Sequence, residues 1–364
     1  MKRRALLAGL AAAGLAGCTP QPPFKIGFLA GLVGRGASIG EDSRNGAVLA
    51  VEQTNAAGDR LELVVQDNGD TVDSARAAMD GLLQARVQAI VGPFASGIAV
   101  AVLPQAEQAG VLLLSPNATA SALAGRDDAL LMLSPSTREA SLAYAQVLWR
   151  RGLRRVSVAT ATDMNNAVYA EAWRDEFVAA FQALGGSTLS RVDFQAGTGA
   201  GYDDVVDRLL APRPDGLVLV CGSVHAARLA QRVRALAPAL PLAVADAAGG
   251  EALIALGGRA VEGVVMGQLY DRTDRSARYL SFVAAFQERF GREPGYHAVL
   301  SHDAVTVLAQ AQARRGKGQA LKQAVLQHGP YDGLQQTIRF DRFGDAERAT
   351  HFVIVRDGRF EPLP

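Results

Sequence analysis

Two polar segments stand directly behind apolar, strand-like runs, and both carry groups suited to holding a carboxylate. Ser96 follows the run 89–92 at the start of a helical stretch, and Ser115-Pro116-Asn117-Ala118-Thr119 closes the run 111–115. A helix N-terminus offers free N–H groups and a partial positive charge, which suit a carboxylate. Either segment alone reads as a helix cap or a turn. On one carboxyl edge of a parallel sheet, where open α/β folds bind their ligands, the two read as a shared site.

Other residues carry the outline of catalysis without its geometry. Gly36-Ala37-Ser38-Ile39-Gly40 is a formal GxSxG. A nucleophile elbow needs its serine on a tight turn directly between strand and helix, and here residues 31–35 intervene. Ser301-His302-Asp303 spells a triad in letters only, because adjacent helical residues point about 100° apart. Gly31, Gly34 and Gly36 follow the first strand in the order GxxGxG rather than the dinucleotide-binding GxGxxG. The five histidines, His225, His297, His302, His328 and His351, show no metal-ligand spacing. The sequence therefore argues against an enzyme, with a hydrolase using Ser38 the least favoured alternative, and implies no cofactor and no metal.

The start of the chain sets its compartment. Lys2, Arg3 and Arg4 precede an apolar run, 5–16, too short for a bilayer, whose core takes about 20 residues. Charge, apolar stretch and small residues describe an export signal over 1–17. Leu15-Ala16-Gly17-Cys18 resembles the lipobox of bacterial lipoproteins, which implies acylation at Cys18 and a Pro-rich tether over 18–23. The expected location is the periplasmic or cell-surface face, held to the membrane through the lipid alone. With Thr19 rather than an aspartate beside the cysteine, a Gram-negative host would sort it to the outer membrane.

The 364 residues, 49% hydrophobic and 20% charged, exceed what one core usually fills. The formal charge of +1 turns slightly negative once Lys2, Arg3 and Arg4 are removed, so nothing favours nucleic acid. Arg150, Arg151, Arg154 and Arg155 lie at a helix end, where cations suit the dipole. Cys221 follows the apolar run 217–220 and reads as a buried, inert thiol.

Short strand-like runs at 25–29, 61–66, 89–92 and 111–115 alternate with helical stretches at 41–55, 73–86 and 97–108, the pattern of βαβ units. The pattern restarts with strands at 156–161, 188–194, 216–220, 242–245 and 263–266. Helices at 169–184, 202–210 and 223–236 separate the first four, and 249–258 reads as a short Gly-rich link. After 270, helices at 279–290, 297–314 and 319–327 precede strands at 336–340 and 350–355. The expected fold is α/β, two Rossmann-like, doubly wound parallel-sheet lobes joined by a multi-crossing hinge near 134–137, 267–272 and 333–339. Lobe I takes 24–135 plus 271–334, and lobe II takes 136–270 plus 335–361.

Several segments in order carry a family resemblance: 25–29, 36–40, 44–58, Val91-Gly92-Pro93-Phe94-Ala95-Ser96, Leu114–Thr119 and Gly291-Arg292-Glu293-Pro294. Together they resemble the type I periplasmic binding proteins, in the branched-chain amino acid branch serving ABC transporters, over essentially the whole chain from 24 to about 361. The resemblance implies a monomer that passes an amino acid or amino-acid-like small molecule, bound between the lobes, to an ABC permease. The same fold also serves ligand-sensing regulatory systems, which is the alternative. It maps ligand contacts onto Ser96, Asn117 through its backbone, and Thr119. On the second lobe it maps Tyr169 to a cleft tyrosine and Asp246 to the acidic residue that pairs with the ligand ammonium. A carboxylate in a closing, drying cleft needs such a cation. Ile39 stands where leucine-type binders present an aromatic ring, and 223–224 lies where a second-lobe tyrosine is common. Fewer aromatics there imply a differently shaped side-chain pocket.

Overall fold

The computed structural model describes residues 22–34, 37–69, 71–162, 167–195, 201–248 and 250–364, with the backbone but not the side chain of Ser38. Cys18 and its tether up to Gln21 lie outside them. Among the described residues no helix is long and apolar enough to cross a membrane.

The first half runs β1 (Phe24–Ala30), α1 (Ala37–Ala56), β2 (Leu61–Asp67), α2 (Val72–Gln84), β3 (Ala89–Val91), α3 (Ser96–Ala109), β4 (Leu112–Ser115) and β5 (Leu130–Met132). The five strands form one parallel sheet in the order β2-β1-β3-β4-β5. Strand geometry sends alternate side chains to opposite faces, and β1 shows it. Ile26 and Phe28 enter one core, and Leu29 enters the other with Met79 and Leu82 of α2.

The second half repeats the scheme: α4 (Thr137–Arg150), β6 (Arg155–Ala161), α5 (Ala167–Ala183), β7 (Ser187–Phe194), α6 (Tyr202–Leu210), β8 (Gly216–Val220), α7 (Ser223–Leu236), β9 (Leu242–Val244), α8 (Glu251–Gly257) and β10 (Val265–Gln268). Along β8, Leu217 and Leu219 face one core and Val218 and Val220 the other. The Gly-rich link expected at 249–258 is largely helix α8. Leu253 closes onto the same core as Val261, and that burial outweighs the flanking glycines.

The chain then returns to the first lobe as α9 (Ala277–Phe290), α10 (Tyr296–Arg314) and α11 (Leu321–His328). Helix α10 packs closely along α1, which Gly46 permits: a Cβ there would collide with the Ala298 carbonyl oxygen. A small antiparallel sheet follows, β11 (Tyr331–Asp332), β12 (Thr337–Phe340) and β13 (Ala346–Glu347), before β14 (His351–Arg356) and β15 (Arg359–Pro362). The second sheet is ordered β15-β14-β10-β9-β8-β6-β7, antiparallel only at its β14 and β15 edge.

The last passage between lobes comes later than the sequence suggests. Residues 335–347, expected with lobe II, stay with lobe I. Ile338 and Ala346 are buried in the core that holds Phe28 and Leu114, and Asp345 bridges to Met132. The return is therefore made at Arg348–Thr350, and Arg348 is anchored there by a buried ion pair to Asp303 of α10.

Candidate functional site

Ser96 opens α3 but does not cap it. The N-cap position is Ala95, and no side chain caps the helix. The Ser96 Oγ instead accepts hydrogen bonds from the backbone N–H groups of Thr119 (3.1 Å) and Ala120 (3.0 Å). Ser115 performs a parallel stitch, donating to the Pro93 carbonyl and accepting from the Ala118 N–H at 2.8 Å. The Asn117 amide side chain reaches the Phe94 carbonyl at 3.4 Å, and its backbone N–H reaches the Ser115 Oγ at the same distance. The loops after β3 and β4 are thus tied at the carboxyl edge of neighbouring strands. Ser96 and Thr119 are buried, and Gly92, at φ +117°, makes the turn into the first of these loops.

On the second lobe, an aromatic ladder sets the position of Tyr169. Tyr169, Trp173, Phe177 and Phe181 recur every four residues, so they share one face of α5. Trp173 and Phe177 stack with centroids 5.4 Å apart, and Phe177 and Phe181 at 5.5 Å. That ladder is buried against β6, β8 and β9, which fixes the N-terminal rung, Tyr169, beside the end of β9. There its hydroxyl donates a 2.6 Å hydrogen bond to Oδ1 of Asp246, the first residue of a short 3-10 turn.

Asp246 is half-buried, and among the described residues no cation lies within ion-pair distance of it. Burial pushes its carboxyl above the ordinary range, while the hydrogen bond from Tyr169 and one from its own backbone pull it back. Burial, reinforced by the charge of Asp246, drives the phenols of Tyr169 and Tyr144 well upward, so both keep their protons. Among the described residues, the buried Trp173 Nε1 has no hydrogen-bond partner. The result is a carboxylate held by neutral donors, attractive to an incoming cation.

Val168, beside Tyr169, packs on the first-lobe cluster that contains Ile98, Ala118 and Ala120. The N-terminus of α5 therefore approaches the segments bearing Ser96 and Thr119. A cavity of about 550 Å³ lies between the lobes, lined by Ile39 and Tyr296 from the first and by Ala247 and Ser223 from the second. Of the expected contacts, Ile39 lines this cavity, whereas Ser96, Asn117, Thr119, Tyr169 and Asp246 do not. Asp246 borders it through Ala247, and burial, with the charge of Asp246 adding to it across the lobes, raises the phenol of Tyr296. The structure thus assembles two pairs, Ser96 with Thr119 and Tyr169 with Asp246, and sets Ile39 apart in the cavity.

Sequence reasoning missed Tyr270, Tyr279, Tyr296 and His297, which also line the cavity. The signal available for the last two was Pro294-Gly295 ahead of the apolar start of α10. The other formal motifs dissolve. Ser38 lies in the first turn of the 20-residue α1 rather than on an elbow. His302 faces Gln53 at 2.9 Å, while Asp303 accepts from the Leu334 N–H and Arg348. Cys221 is buried.

Two α/β lobes with polar loop edges meeting over a cavity define a protein that binds a small molecule between its halves. Residues 23–359 match the family described as periplasmic binding protein, and the chain belongs to that family. It is similar to the Leu/Ile/Val-binding protein BraC3 of Rhizobium johnstonii, 28% identical over 50% of this chain and 48% of the relative. It is also similar to the chemotactic signal transduction system substrate-binding protein BasB of Halobacterium salinarum, 30% identical over 54% of this chain and 50% of the relative. The chain thus matches about half the length of these curated relatives. The fold is shared with the leucine-binding protein LivK of Thermotoga maritima, at a TM-score of 0.86 and 24% identity over 93% of this chain and 97% of that one. The family is one of binding proteins rather than enzymes.

Proposed function

We propose that this protein is an extracytoplasmic solute-binding lipoprotein that delivers an amino acid or amino-acid-like small molecule to an ABC permease. Ser96, Thr119, the Asn117 backbone and the first-turn N–H groups of α3 take the ligand carboxylate. Asp246 takes its ammonium, Tyr169 packs beside it and Ile39 shapes the side-chain pocket. The observation that carries this reading is Asp246, a half-buried carboxylate bonded to Tyr169 at 2.6 Å with no cation among the described residues to pair with it. The relative named a Leu/Ile/Val-binding protein supports an amino acid as cargo. The lobes, taken as 24–135 plus 271–347 and 136–270 plus 348–361, close about the hinge when ligand bridges them. The protein acts as a monomer, its signal peptide ending at Gly17 and its lipid on Cys18.

A thermal-shift screen of amino acids, amides and small carboxylates tests the reading, since a specific ligand at a hundredfold excess over Kd stabilises the native state by about 2.7 kcal/mol. Stabilisation by carboxylates lacking an amine, with no response to any amino acid, would refute it. The similarity to BasB favours a second reading, presentation of the same ligand to a signalling partner. Uptake assays in a strain lacking the gene separate the two: transport loss supports delivery, and intact transport with a lost response supports sensing.

A further inference from the structure

Four of the six charged residues that line the inter-lobe cavity are paired with one another. Asp42 holds Arg292 at 2.9 Å and also accepts from the N–H groups of Gly295 and Ala298 at the start of α10. Glu251 holds Arg272 at 2.7 Å, and that guanidinium also donates to Gln268 and lies over the Tyr270 ring. The two remaining charges, Arg275 and Glu293, are exposed and stay in solvent. Among the described residues, every buried or half-buried charge lining the cavity already has an opposite partner.

The uncharged polar groups are the reverse case. Tyr270, Tyr279 and Tyr296 are 4%, 8% and 5% exposed and line the cavity, and among the described residues none makes a side-chain hydrogen bond, so their hydroxyls are left to the cavity's solvent. His297, 7% exposed, has a buried Nε2 with no partner, and burial pushes its imidazole down to about 3, so it is neutral. Burial raises all three phenols, so each keeps a proton to donate. Tyr270 and Tyr296 stack at 6.1 Å with their planes 18° apart, and the Tyr296 and His297 rings lie 3.7 Å apart. Tyr270, Tyr296 and His297 therefore form one stacked wall of neutral donors and acceptors, and Tyr279 lines the same cavity. An aliphatic ligand closing over that wall would strip its water and return no hydrogen bonds.

We propose that this cavity selects a ligand whose far end is uncharged and polar, an amide, ureido or hydroxyl group, rather than a branched aliphatic chain. The proposal rests on the amino-acid reading of Asp246, whose neighbour Ala247 leads into the cavity. A volume of about 550 Å³ lies within the range of pockets that enclose drug-sized molecules, so the longer tail is accommodated.

Calorimetry on the mature chain with L-leucine, L-glutamine, L-citrulline, L-lysine and L-glutamate tests it. Glutamine or citrulline should bind about tenfold or more tighter than leucine, a modest gap for a site built to hydrogen-bond its ligand. The Tyr270→Phe/Tyr279→Phe double variant, which keeps both rings, should narrow that gap. Leucine binding as tightly as the neutral polar pair, or a preference for lysine or glutamate, overturns the proposal and leaves the amino-acid reading standing. A gap that persists undiminished in the double variant also overturns it. Failure of all five to bind overturns both.

Discussion

The hydroxyl of Tyr169 and Oδ1 of Asp246 lie 2.6 Å apart on two elements of the same lobe, 77 positions apart in sequence. Tyr169 offers that carboxylate a neutral donor, which orients it and leaves its charge uncompensated. A ligand ammonium would complete the arrangement, and unliganded protein carries the cost of its absence.

Asp246→Asn should therefore act in opposite directions on binding and on folding. Removing one partner of a buried charge pair costs about 2–5 kcal/mol, so affinity for an α-amino acid should fall about thirtyfold or more. Because burial raises the Asp246 carboxyl, the ligand-free wild type loses stability as pH rises above the ordinary carboxylate range. The variant should escape that loss and melt higher than wild type at neutral pH without ligand. Calorimetry and ligand-free thermal melts read the two effects, and a lower ligand-free melting point would contradict the account.

Ser96→Ala removes an acceptor shared by the Thr119 and Ala120 N–H groups. Each buried donor left unsatisfied costs about 1–3 kcal/mol. Urea denaturation should show the loss, and carboxylate-bearing ligands should bind more weakly as the loop loosens. Ser96→Thr, which keeps the oxygen, should retain most of both. An unmoved urea midpoint in the alanine variant would show that the oxygen does not hold the loop.

Acid should weaken the fold before the carboxylates titrate. Burial drives His297 down to about 3 and His302 down to about 4, against about 6.5 in an unfolded chain. Both take protons first in the unfolded state, so their contribution is complete above about pH 6.5 and is lost as pH falls toward 4. Each adds a slope of up to about 1.4 kcal/mol per pH unit across that window. Denaturation at pH 7, 6 and 5 measures it, and His302→Gln should flatten the slope.

The ion pair between Arg348 and Asp303 anchors the last inter-lobe passage to α10, with both side chains 1% exposed. Breaking such a pair from one side costs about 3–5 kcal/mol, because the remaining charge stays buried. Arg348→Met should lose that much in chemical denaturation. Adding Asp303→Asn, which keeps an acceptor for the Leu334 N–H, should recover part of it. Equal losses in the single and double variants would argue against a buried, uncompensated charge.

Local geometry made much of this protein readable from its residues alone. The alternation of Ile26 and Phe28 against Leu29 follows from the two-residue period of a strand, and the spacing of Tyr169, Trp173, Phe177 and Phe181 from the turn of a helix. Ser96 at the start of α3 was legible for the same reason, as was the ordered set of segments that marks the family. Other features depended on strand order and lobe packing. Periodicity says which face a residue occupies, but not which distant residue meets it there. Ser96 looked like a cap and instead ties down the next loop, because β3 and β4 are neighbours in the sheet. Residues 335–347 looked like second-lobe chain and stayed behind, because Ile338 and Ala346 found a core to fill in the first. The neutral wall of Tyr270, Tyr296 and His297, with Tyr279 lining the same cavity, exists only where the returning helices α9 and α10 meet the end of β10. No local pattern encodes that meeting, since it is decided by how the lobes bury their apolar faces.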